Sequence, residues 1–510
     1  MLTNVTHAGG VENADEILFT TPFGYLFLEA AHTPDCLLAV SERTEDALTA
    51  LGNAMGDAST PPDPALDSDI PAAFTYLGQF IDHDLTARTD REIGLSRIAQ
   101  PDGRGRPITP VAPDTVVGTL RNGRRPELDL DSVYGDGPGL LQGAATEASA
   151  LYEAETNALK LQEFAGGFID VPRVGRKALI ADGRNDENVN ISQLHAAFIA
   201  FHNAVAARLP GDPSPQRRYA KARQIVRWAY QYVVVHDYLM RVCDPAVVQD
   251  LLYNGPRFYR PGGEGLVMPL EFSVAAFRFG HSMIRPSYRL QDGAPLKTIT
   301  ELLGVTLERD GAGDLLEEAG GRYRLKPENR VAWAQLVEIP GQPAPQMARA
   351  IDPVLSRGLF DLVFEEEAAP DALIRHLARR NLARGYLLSI PTGQAVAAAM
   401  GVEPLIEAEL FDGESEAVRE AIEFGRFQRR TPLWYYVLRE AKVQAQGCSL
   451  GEVGSRLVAE TIVGALAYDP VSYLNNRAHG RVRANGIKVP KRTKPVATLA
   501  DIVDYAGIAV

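Results

Sequence analysis

The chain has 510 residues, of which 45% are hydrophobic and 23% are charged, a composition typical of a soluble globular protein. Its formal net charge of -13 argues against general nucleic-acid binding, and no apolar run reaches the roughly 18 residues of a membrane span. The cysteines, Cys36, Cys243 and Cys448, are odd in number and far apart, which argues against a disulfide framework or zinc ribbon and fits a reducing compartment.

The N-terminal region carries few signals of regular structure. Its start, "MLTNVTHAGGVENADEILF", lacks a basic stretch followed by an apolar core, so no classical signal peptide is visible. We therefore expect a cytoplasmic location, or export by a route without such a signal. Residues 1–68 are predicted to be an irregular extension, closed by the loop "GDASTPPDPALDSDIP". Helical periodicity then dominates, and a large, mainly α domain with long loops and little β structure is predicted over 69–510.

The segment "AFTYLGQFIDHDL" has the periodicity of a helix and places an amide and three titratable residues close together. On a helix Gln79, Asp82 and His83 stand at i, i+3 and i+4 and share one face. Asp84 points about 100° further round the helix. The face either lines a shared pocket or is a cluster on the surface, and this segment alone fits both.

The segment "RPELDLDSVYGDG" alternates carboxylates at Glu127, Asp129 and Asp131. In an extended loop, Asp129 and Asp131 would face the same way, and carboxylate and carbonyl oxygens are the ligands that Ca²⁺ prefers. The spacing is not that of an EF-hand, and an ordinary acidic loop is the alternative.

The segment "ADGRNDENVNISQLH" places Arg184 and Glu187 at i, i+3 spacing, either as a functional cation–carboxylate pair or as an exposed salt bridge. A long helix is predicted directly after it, with Asn190 or Ser192 as its N-cap. His195 and His202 share a face of that helix, and we expect them to be hydrogen-bonded structural histidines.

In "EFSVAAFRFGHSMIRP", His281 lies in an apolar helical run, three residues after Arg278. A lone histidine on an apolar face is usually a satisfied core residue. The arginine points to another explanation, because a cation in an apolar run needs an anionic partner.

Together, these four segments resemble the animal-type haem peroxidases, the peroxidase–cyclooxygenase superfamily to which myeloperoxidase and lactoperoxidase belong. "GQFIDHD" is similar to the distal motif of that family, "LDLDSVYG" to its calcium loop, "GRNDE" to its catalytic Arg…Glu motif and "RFGHS" to its proximal motif. The motifs occur in the family's order, and the resemblance runs from about residue 70 to about residue 470. It implies a single mainly α haem-peroxidase domain and, without disulfides or a signal peptide, a bacterial member.

The resemblance implies a haem b cofactor and Ca²⁺. It further implies a peroxidase that reduces hydrogen peroxide through an oxyferryl intermediate and oxidises small donors, either halide and thiocyanate or phenolic and aromatic compounds. His83 would be the distal base, Arg184 would stabilise the breaking O–O bond and Gln79 would line the distal pocket. His281 would ligate the haem iron, with Asn381 as its hydrogen-bond partner. Asp82 and Glu187 would form ester links to haem, and Arg278 and Arg384 would pair with its propionates. The implied Ca²⁺ ligands are the side chains of Asp84, Asp129 and Asp131 and the backbone carbonyls of Arg125 and Glu127.

Some positions depart from the family pattern. Asn188 stands where myeloperoxidase has its sulfonium-forming methionine, so we expect no third haem linkage. Arg125 replaces a threonine ligand of the mammalian calcium loop, which removes one side-chain oxygen. The superfamily's fatty-acid dioxygenases need a tyrosine three residues before the proximal histidine, and Arg278 occupies that position, so a peroxidase is the favoured interpretation.

Two further alternatives belong to other classes. A divalent-metal phosphohydrolase would use the His-Asp pairs of "DHD" at 82–84 and of His236–Asp237. It would leave Arg184, Glu187 and His281 without a role. A non-catalytic, calcium-stabilised binding protein would share the fold, since fold alone does not fix function. In "TPLWYYVLRE", Trp434 and its neighbours are predicted to pack in the core rather than to relay electrons.

Overall fold

The computed structural model describes residues 21–57, 64–87, 109–138, 150–174, 177–211, 214–262, 265–303, 317–318, 322–323, 325–362, 373–476 and 485–510. The α-helices of these residues are α1 Leu28–His32, α2 Glu42–Ala54, α3 Ala73–Leu85, α4 Pro113–Thr119, α5 Asp131–Tyr134, α6 Val189–Arg208, α7 Pro215–Val233, α8 Leu239–Val242, α9 Pro245–Asn254, α10 Ile299–Leu302, α11 Leu377–Leu387, α12 Gly393–Met400, α13 Glu407–Phe411, α14 Glu416–Gly425, α15 Leu433–Ala445, α16 Glu452–Tyr468 and α17 Leu499–Ala506. The predicted mainly α fold is confirmed.

Strands are short and lie around the helices. They are β1 Thr21–Gly24, β2 Asp67–Pro71, β3 Arg121–Asn122, β4 Gln162–Glu163, β5 Ile169–Asp170, β6 Arg173–Val174, β7 Lys177–Ala178, β8 Met268–Pro269, β9 Ser287–Tyr288, β10 Lys297–Thr298, β11 Glu317–Glu318, β12 Arg322–Tyr323 and β13 Met347–Arg349. Strand β1 pairs antiparallel with β3 and parallel with β8, and the other strands form two-stranded pairs. These strands tie loops together and do not form a layer of their own.

Helix α6 lies in the centre of the core, since its residues from Val189 to His202 are all buried. A helix buried on every side cannot show a strong amphipathic pattern, so hydrophobic periodicity locates its first residue poorly. Its N-cap is Asn188, whose side chain accepts a hydrogen bond from the Ile191 amide at 3.0 Å. The predicted caps Asn190 and Ser192 are therefore wrong, because the helix has already begun at Val189.

The N-terminal region is part of the domain, so the predicted irregular extension is wrong for residues 21–57. Helix α2 begins at the N-cap Ser41, which accepts from the Thr44 amide at 3.2 Å, and it buries Leu48 and Leu51 in the main core. It packs against α11 and α14. The predicted loop before residue 71 also contains β2, which pairs with β13. Residues 1–20 and 58–63 lie outside the described ranges.

Two π-helical turns position the elements around the main cavity. Residues Val234–Tyr238 continue α7 as a π turn before α8, and residues Glu271–Ala275 form another that leads into a 3₁₀ turn over Ala276–His281. Such turns rotate the following residues relative to a regular helix and are frequent at functional sites. Gly78 of α3 packs directly on the first π turn, since a Cβ there would lie 2.5 Å from the Tyr238 hydroxyl.

No helix among the described residues has the length and apolarity needed to span a bilayer.

Candidate active site

A cavity of about 1260 Å³, a figure that includes its mouth, lies between α3, the 3₁₀ turn that ends at His281, and α11. Its lining includes eight residues that the sequence analysis predicted for the site: Gln79, Asp82, His83, Arg184, Glu187, Arg278, His281 and Arg384. Other lining residues were not predicted, among them Asn188, Tyr238 and Arg380. Residues more than 300 positions apart along the chain thus line a single cavity.

Helix α3 turns one face to this cavity. Every residue of the helix is buried except Gln79 and Asp82, which are partly exposed and, with His83, line the cavity. The Nδ1 atom of His83 lies 2.8 Å from the Oδ1 atom of Asn185, so Nε2 is the ring nitrogen left for a ligand or substrate. Burial, and then the charge of Arg184, lower the pKa of His83, which keeps the imidazole neutral near pH 7.

Arg184 is held rigidly beside His83. Its Nε and Nη2 atoms donate to the carboxylate of Asp182 at 3.1 and 2.8 Å, and Nη2 also donates to the His83 carbonyl oxygen at 2.8 Å. Burial alone would raise the pKa of Asp182, but Arg184 and Arg124 overcome it and hold that pKa far below its usual range. The guanidinium is therefore fixed by an anion, as a preorganised electrostatic group requires.

The remaining polar groups on this side form a hydrogen-bonded row. The Gln79 amide donates to the Glu187 carboxylate at 3.2 Å and accepts from the Asn188 amide at 3.2 Å. Asp82 accepts from the Thr86 hydroxyl at 3.1 Å. Both carboxylates thus lie at the cavity surface, where a bound group could reach them.

His281 faces the same cavity from the 3₁₀ turn, and its Nδ1 atom lies 2.7 Å from the Nδ2 atom of Asn381 on α11. The Oδ1 atom of the same amide is buried without a hydrogen-bond partner. A 180° rotation of the amide presents Oδ1 to an Nδ1–H donor, which leaves a lone pair on Nε2 for a metal. Burial, followed by Arg278, Arg380 and Arg384, lowers the pKa of His281 far below its usual value.

The Asp84 carboxylate, next to His83 in the chain, takes part in a different site. Carboxylate oxygens of Asp84, Asp129 and Asp131 all lie within 4.8 Å of one another. Leu128 and Leu130 adopt positive φ values of 50° and 60°, which turns the loop so that the two acids meet Asp84. The Oδ1 atom of Asp131 is buried without a hydrogen-bond partner.

The charges of this cluster need a counter-ion. Burial, and then the neighbouring Asp129, raise the pKa of Asp84 to about 6, and burial raises the pKa of Asp131 well above its usual value. Three carboxylates that repel one another in a buried space, one with an unused oxygen, fit a hard divalent cation such as Ca²⁺.

The predicted backbone ligands of the loop are not tested by the structure. The carbonyl oxygen of Glu127 accepts a hydrogen bond from the Gln231 amide at 3.1 Å, and its role as a calcium ligand stays a prediction. The Arg125 side chain is exposed, and the role of its carbonyl stays a prediction.

The other histidines have structural partners. His195 bonds to the Asn185 amide at 2.9 Å and His202 to the Tyr134 hydroxyl at 3.0 Å, which confirms them as hydrogen-bonded core residues. His236 bonds to the Tyr473 hydroxyl at 3.0 Å, and the neighbouring Asp237 pairs with Arg241. In the described part of the chain, the group able to hold a metal is the carboxylate triad, so a His-Asp metal site of the phosphohydrolase kind is not formed.

Sequence reasoning missed several residues that organise the site. Asn185 connects His83 to His195, Asp182 fixes Arg184, and Arg380 adds a fourth guanidinium to the cavity lining. Asp182 and Asn185 lie within two residues of Arg184, and adjacency to a predicted catalytic residue was a signal that could have found them. Trp434, by contrast, is buried as predicted and donates to the Arg278 carbonyl oxygen at 3.1 Å.

Comparisons with known proteins identify the class to which this fold and cavity belong. The family described as animal haem peroxidase matches residues 128–381. Human thyroid peroxidase is 28% identical over 193 residues, which are 34% of this chain and 20% of that protein. Peroxidase skpo-1 of Caenorhabditis elegans is 28% identical over 250 residues, 44% of this chain and 36% of that protein. Over residues 128–381, about half of its length, the chain is similar to the animal haem peroxidase family.

Solved structures agree on the fold. Peroxidase A from Dictyostelium discoideum superposes with a TM-score of 0.61 at 15% identity, covering 99% of this chain and 96% of that one. A fatty acid alpha-dioxygenase from Arabidopsis thaliana superposes with a TM-score of 0.53 at 13% identity, covering 95% and 76%. At these identities the likeness shows a shared fold, and the chain spans 20% and 36% of the two curated relatives.

Proposed function

We propose that this protein is a haem peroxidase that reduces hydrogen peroxide and oxidises small electron donors. The observation that carries the proposal is the pair His83 and His281: they come from distant segments, face one cavity and each have Nδ1 engaged by an asparagine. A haem b held in the cavity would supply the iron that accepts electrons from the donor and passes them to peroxide.

On the distal side, His83 acts as a base and then as an acid. Its neutral Nε2 takes a proton from hydrogen peroxide, and the same proton is returned to the departing oxygen as water forms. Positioned proton transfer of this kind contributes about 10²–10⁴ in rate. Asn185 keeps the ring in one orientation, because it holds Nδ1 at 2.8 Å. Arg184, fixed by Asp182, stabilises negative charge that develops as the O–O bond breaks.

The cofactor would be held on several sides. His281 would ligate the iron through Nε2, with Asn381 fixing the tautomer. Asp82 and Glu187 line the cavity and would form the two ester bonds to haem substituents. Arg278 and Arg384 would pair with the propionates, and Arg380 is the third of the arginines that act on His281. The lining would therefore supply a ligand for the haem iron, carboxylates for the ester bonds and arginines for the propionates.

We place Ca²⁺ at Asp84, Asp129 and Asp131, where the unused oxygen of Asp131 and the mutual repulsion of three carboxylates, two of them buried, support it. The donor class stays open between halide or thiocyanate and phenolic compounds. Comparing steady-state oxidation of bromide and of a phenol separates them, and absence of bromide turnover at every pH would exclude the halide class. The bacterial origin and cellular location stay predictions from the sequence.

The proposal is tested by an absorption spectrum of haem-supplied protein before and after one equivalent of hydrogen peroxide. The wild-type protein is expected to show a Soret band that shifts with peroxide. In His281→Ala the band is lost or displaced, whereas His236→Ala, which changes a histidine outside the cavity, retains it. A wild-type protein that stays colourless under full haem supply would contradict the proposal.

A further inference from the structure

A buried row of charged side chains joins the acidic cluster to the distal wall of the cavity. The Nη1 atom of Arg124 lies 3.6 Å from the Asp131 carboxylate, and its Nη2 atom lies 2.5 Å from the Asp182 carboxylate. Asp182 in turn holds Arg184 at 3.1 and 2.8 Å. We call these four residues, Asp131, Arg124, Asp182 and Arg184, the charge relay.

The charge relay is shielded from water along most of its length. Arg124 is 6% exposed, Arg184 is 5% exposed and Asp182 is fully buried. Salt screens the interactions between such buried charges only weakly, so a change of charge at Asp131 alters the electrostatic energy of Arg184. The relay ends on the His83 backbone, where Arg184 donates to the carbonyl oxygen at 2.8 Å.

Arg124 divides one positive charge between two carboxylates. Its bond to Asp182 is direct, whereas its contact with Asp131 is longer than a hydrogen bond. A divalent cation ligated by Asp131 would neutralise that carboxylate and repel the guanidinium. Both effects would shift Arg124 toward Asp182, and Asp182 would then hold Arg184 in a narrower range of positions.

We propose that Arg124 is a positioning residue that couples cation binding at the acidic cluster to the placement of Arg184. The inference rests on the proposed function and adds a regulation of the same site. The acidic cluster thus controls the rate of the peroxide reaction through the charge relay, in addition to stabilising its own loop.

Arg223 of α7 provides a matched control. Its Nη2 atom lies 3.7 Å from the Asp129 carboxylate, so it is also a cation at the edge of the cluster. Its guanidinium lies over the Tyr134 ring, 5.1 Å from the ring centroid, whereas Asp182 forms its ion pairs, among the described residues, with Arg124 and Arg184. Removing Arg223 changes the charge around the cluster and leaves the charge relay intact.

The experiment measures the rate constant of the peroxide-induced Soret change in haem-loaded protein, with calcium and after chelation. The variants are Arg124→Leu, Arg124→Lys and Arg223→Leu, and calorimetry of calcium binding to each shows that the cluster is still formed. We expect calcium to raise the wild-type rate constant by a factor within about 5–150, the usual range for coupled sites. Arg124→Leu is expected to be slow and insensitive to calcium, and Arg124→Lys to recover part of the response.

The outcomes separate the two proposals. A calcium response that Arg223→Leu keeps and Arg124→Leu loses supports the charge relay. A response kept by both variants, or lost equally by both, overturns it while leaving the peroxidase proposal intact. If the Soret band of the wild-type protein does not shift with peroxide while calorimetry still detects calcium binding, the proposed function is overturned. The role assigned to Arg124 is then overturned as well.

Discussion

The two histidines of the cavity lie in opposite electrostatic surroundings. Burial lowers the pKa of both, but carboxylates near His83 act against that effect: Glu187 and Asp182 raise the pKa that Arg184 lowers. His281 has no such compensation among the contributing groups, because the three arginines around it all lower its pKa further. The distal ring thus keeps the ability to accept a proton, and the proximal ring stays neutral.

This difference matches two different tasks. A base that must take and return a proton needs a pKa that remains within reach of the working pH. A metal ligand needs a lone pair that protons do not occupy, and surrounding cations protect it. Under the proposed function, His83 serves acid–base chemistry and His281 serves ligation, and the neighbours of each ring account for the difference.

Removing the distal base should have the largest effect on rate. His83→Ala is expected to lower the rate constant of the peroxide-induced Soret change by about 10²–10⁴, because no positioned group then takes the proton. Stopped-flow absorption measures this constant directly. His236→Gln is the control, since it changes a histidine that bonds to the Tyr473 hydroxyl and does not line the cavity. A loss below tenfold in His83→Ala would assign the proton transfer elsewhere.

Neutralising the anion that orients the distal arginine should have the next largest effect. Asp182→Asn keeps the shape of the side chain but removes its charge, so Arg184 loses its fixed position and we expect a rate loss of about 10²–10³. Asp170→Asn is the matched control, because Asp170 is equally buried and pairs with Arg173 outside the cavity. Equal losses in the two variants, measured by stopped flow, would mean that Asp182 serves folding alone.

The distal wall shows how far local sequence patterns reach. Helical spacing correctly put Gln79, Asp82 and His83 on one face and sent Asp84 elsewhere, because all four lie on one helix. The contact between His83 and Asn185 joins residues 102 positions apart. No periodicity encodes such a contact, since it depends on how α3 packs beside the turn before α6.

The N-terminal region contains a local helix signal that the sequence analysis did not use. Its loops and acidic residues suggested an irregular extension, yet Ala47, Leu48, Leu51 and Met55 are all buried. Their spacing is helical, and Ser41 stands in the N-cap position, so the signal was present over a short window. A 13-residue helix gains most of its stability from packing, which composition alone does not reveal.

On the proximal side, changing the partner of the ligand should have a moderate effect. Asn381→Ala removes the group that fixes the His281 tautomer and is expected to lower activity or iron affinity about 10–100-fold. Ferric–ferrous potentials measured by spectroelectrochemistry should move as well, which a loss of stability alone would not cause. An unchanged potential would contradict a role for Asn381 beside the iron ligand.

The proposed ester bonds should affect retention of haem more than rate. Asp82→Asn combined with Glu187→Gln should leave haem extractable into acidified organic solvent, because no carboxylate remains to bond to it. Asp237→Asn, outside the cavity, should retain the wild-type resistance. Haem that stays bound in the double variant after extraction, judged by the pigment in the protein pellet, would show that these carboxylates are not the attachment points.

Changing the pH within the neutral range should have the smallest effect on the rate constant of the peroxide reaction. His83 works as a base in its neutral form, and its lowered pKa means that protonation occurs only below the ordinary histidine value near 6.5. The rate constant should therefore stay level from about pH 8 to that value and decline as the pH falls through the lowered pKa, about tenfold per unit below it. The profile is measured by stopped flow, and removing the low-pH decline with His83→Ala would assign the decline to this ring. A midpoint at or above 6.5 in the wild-type protein would mean that the nearby carboxylates outweigh burial and Arg184, which would contradict the lowered pKa of His83 and widen its difference from His281.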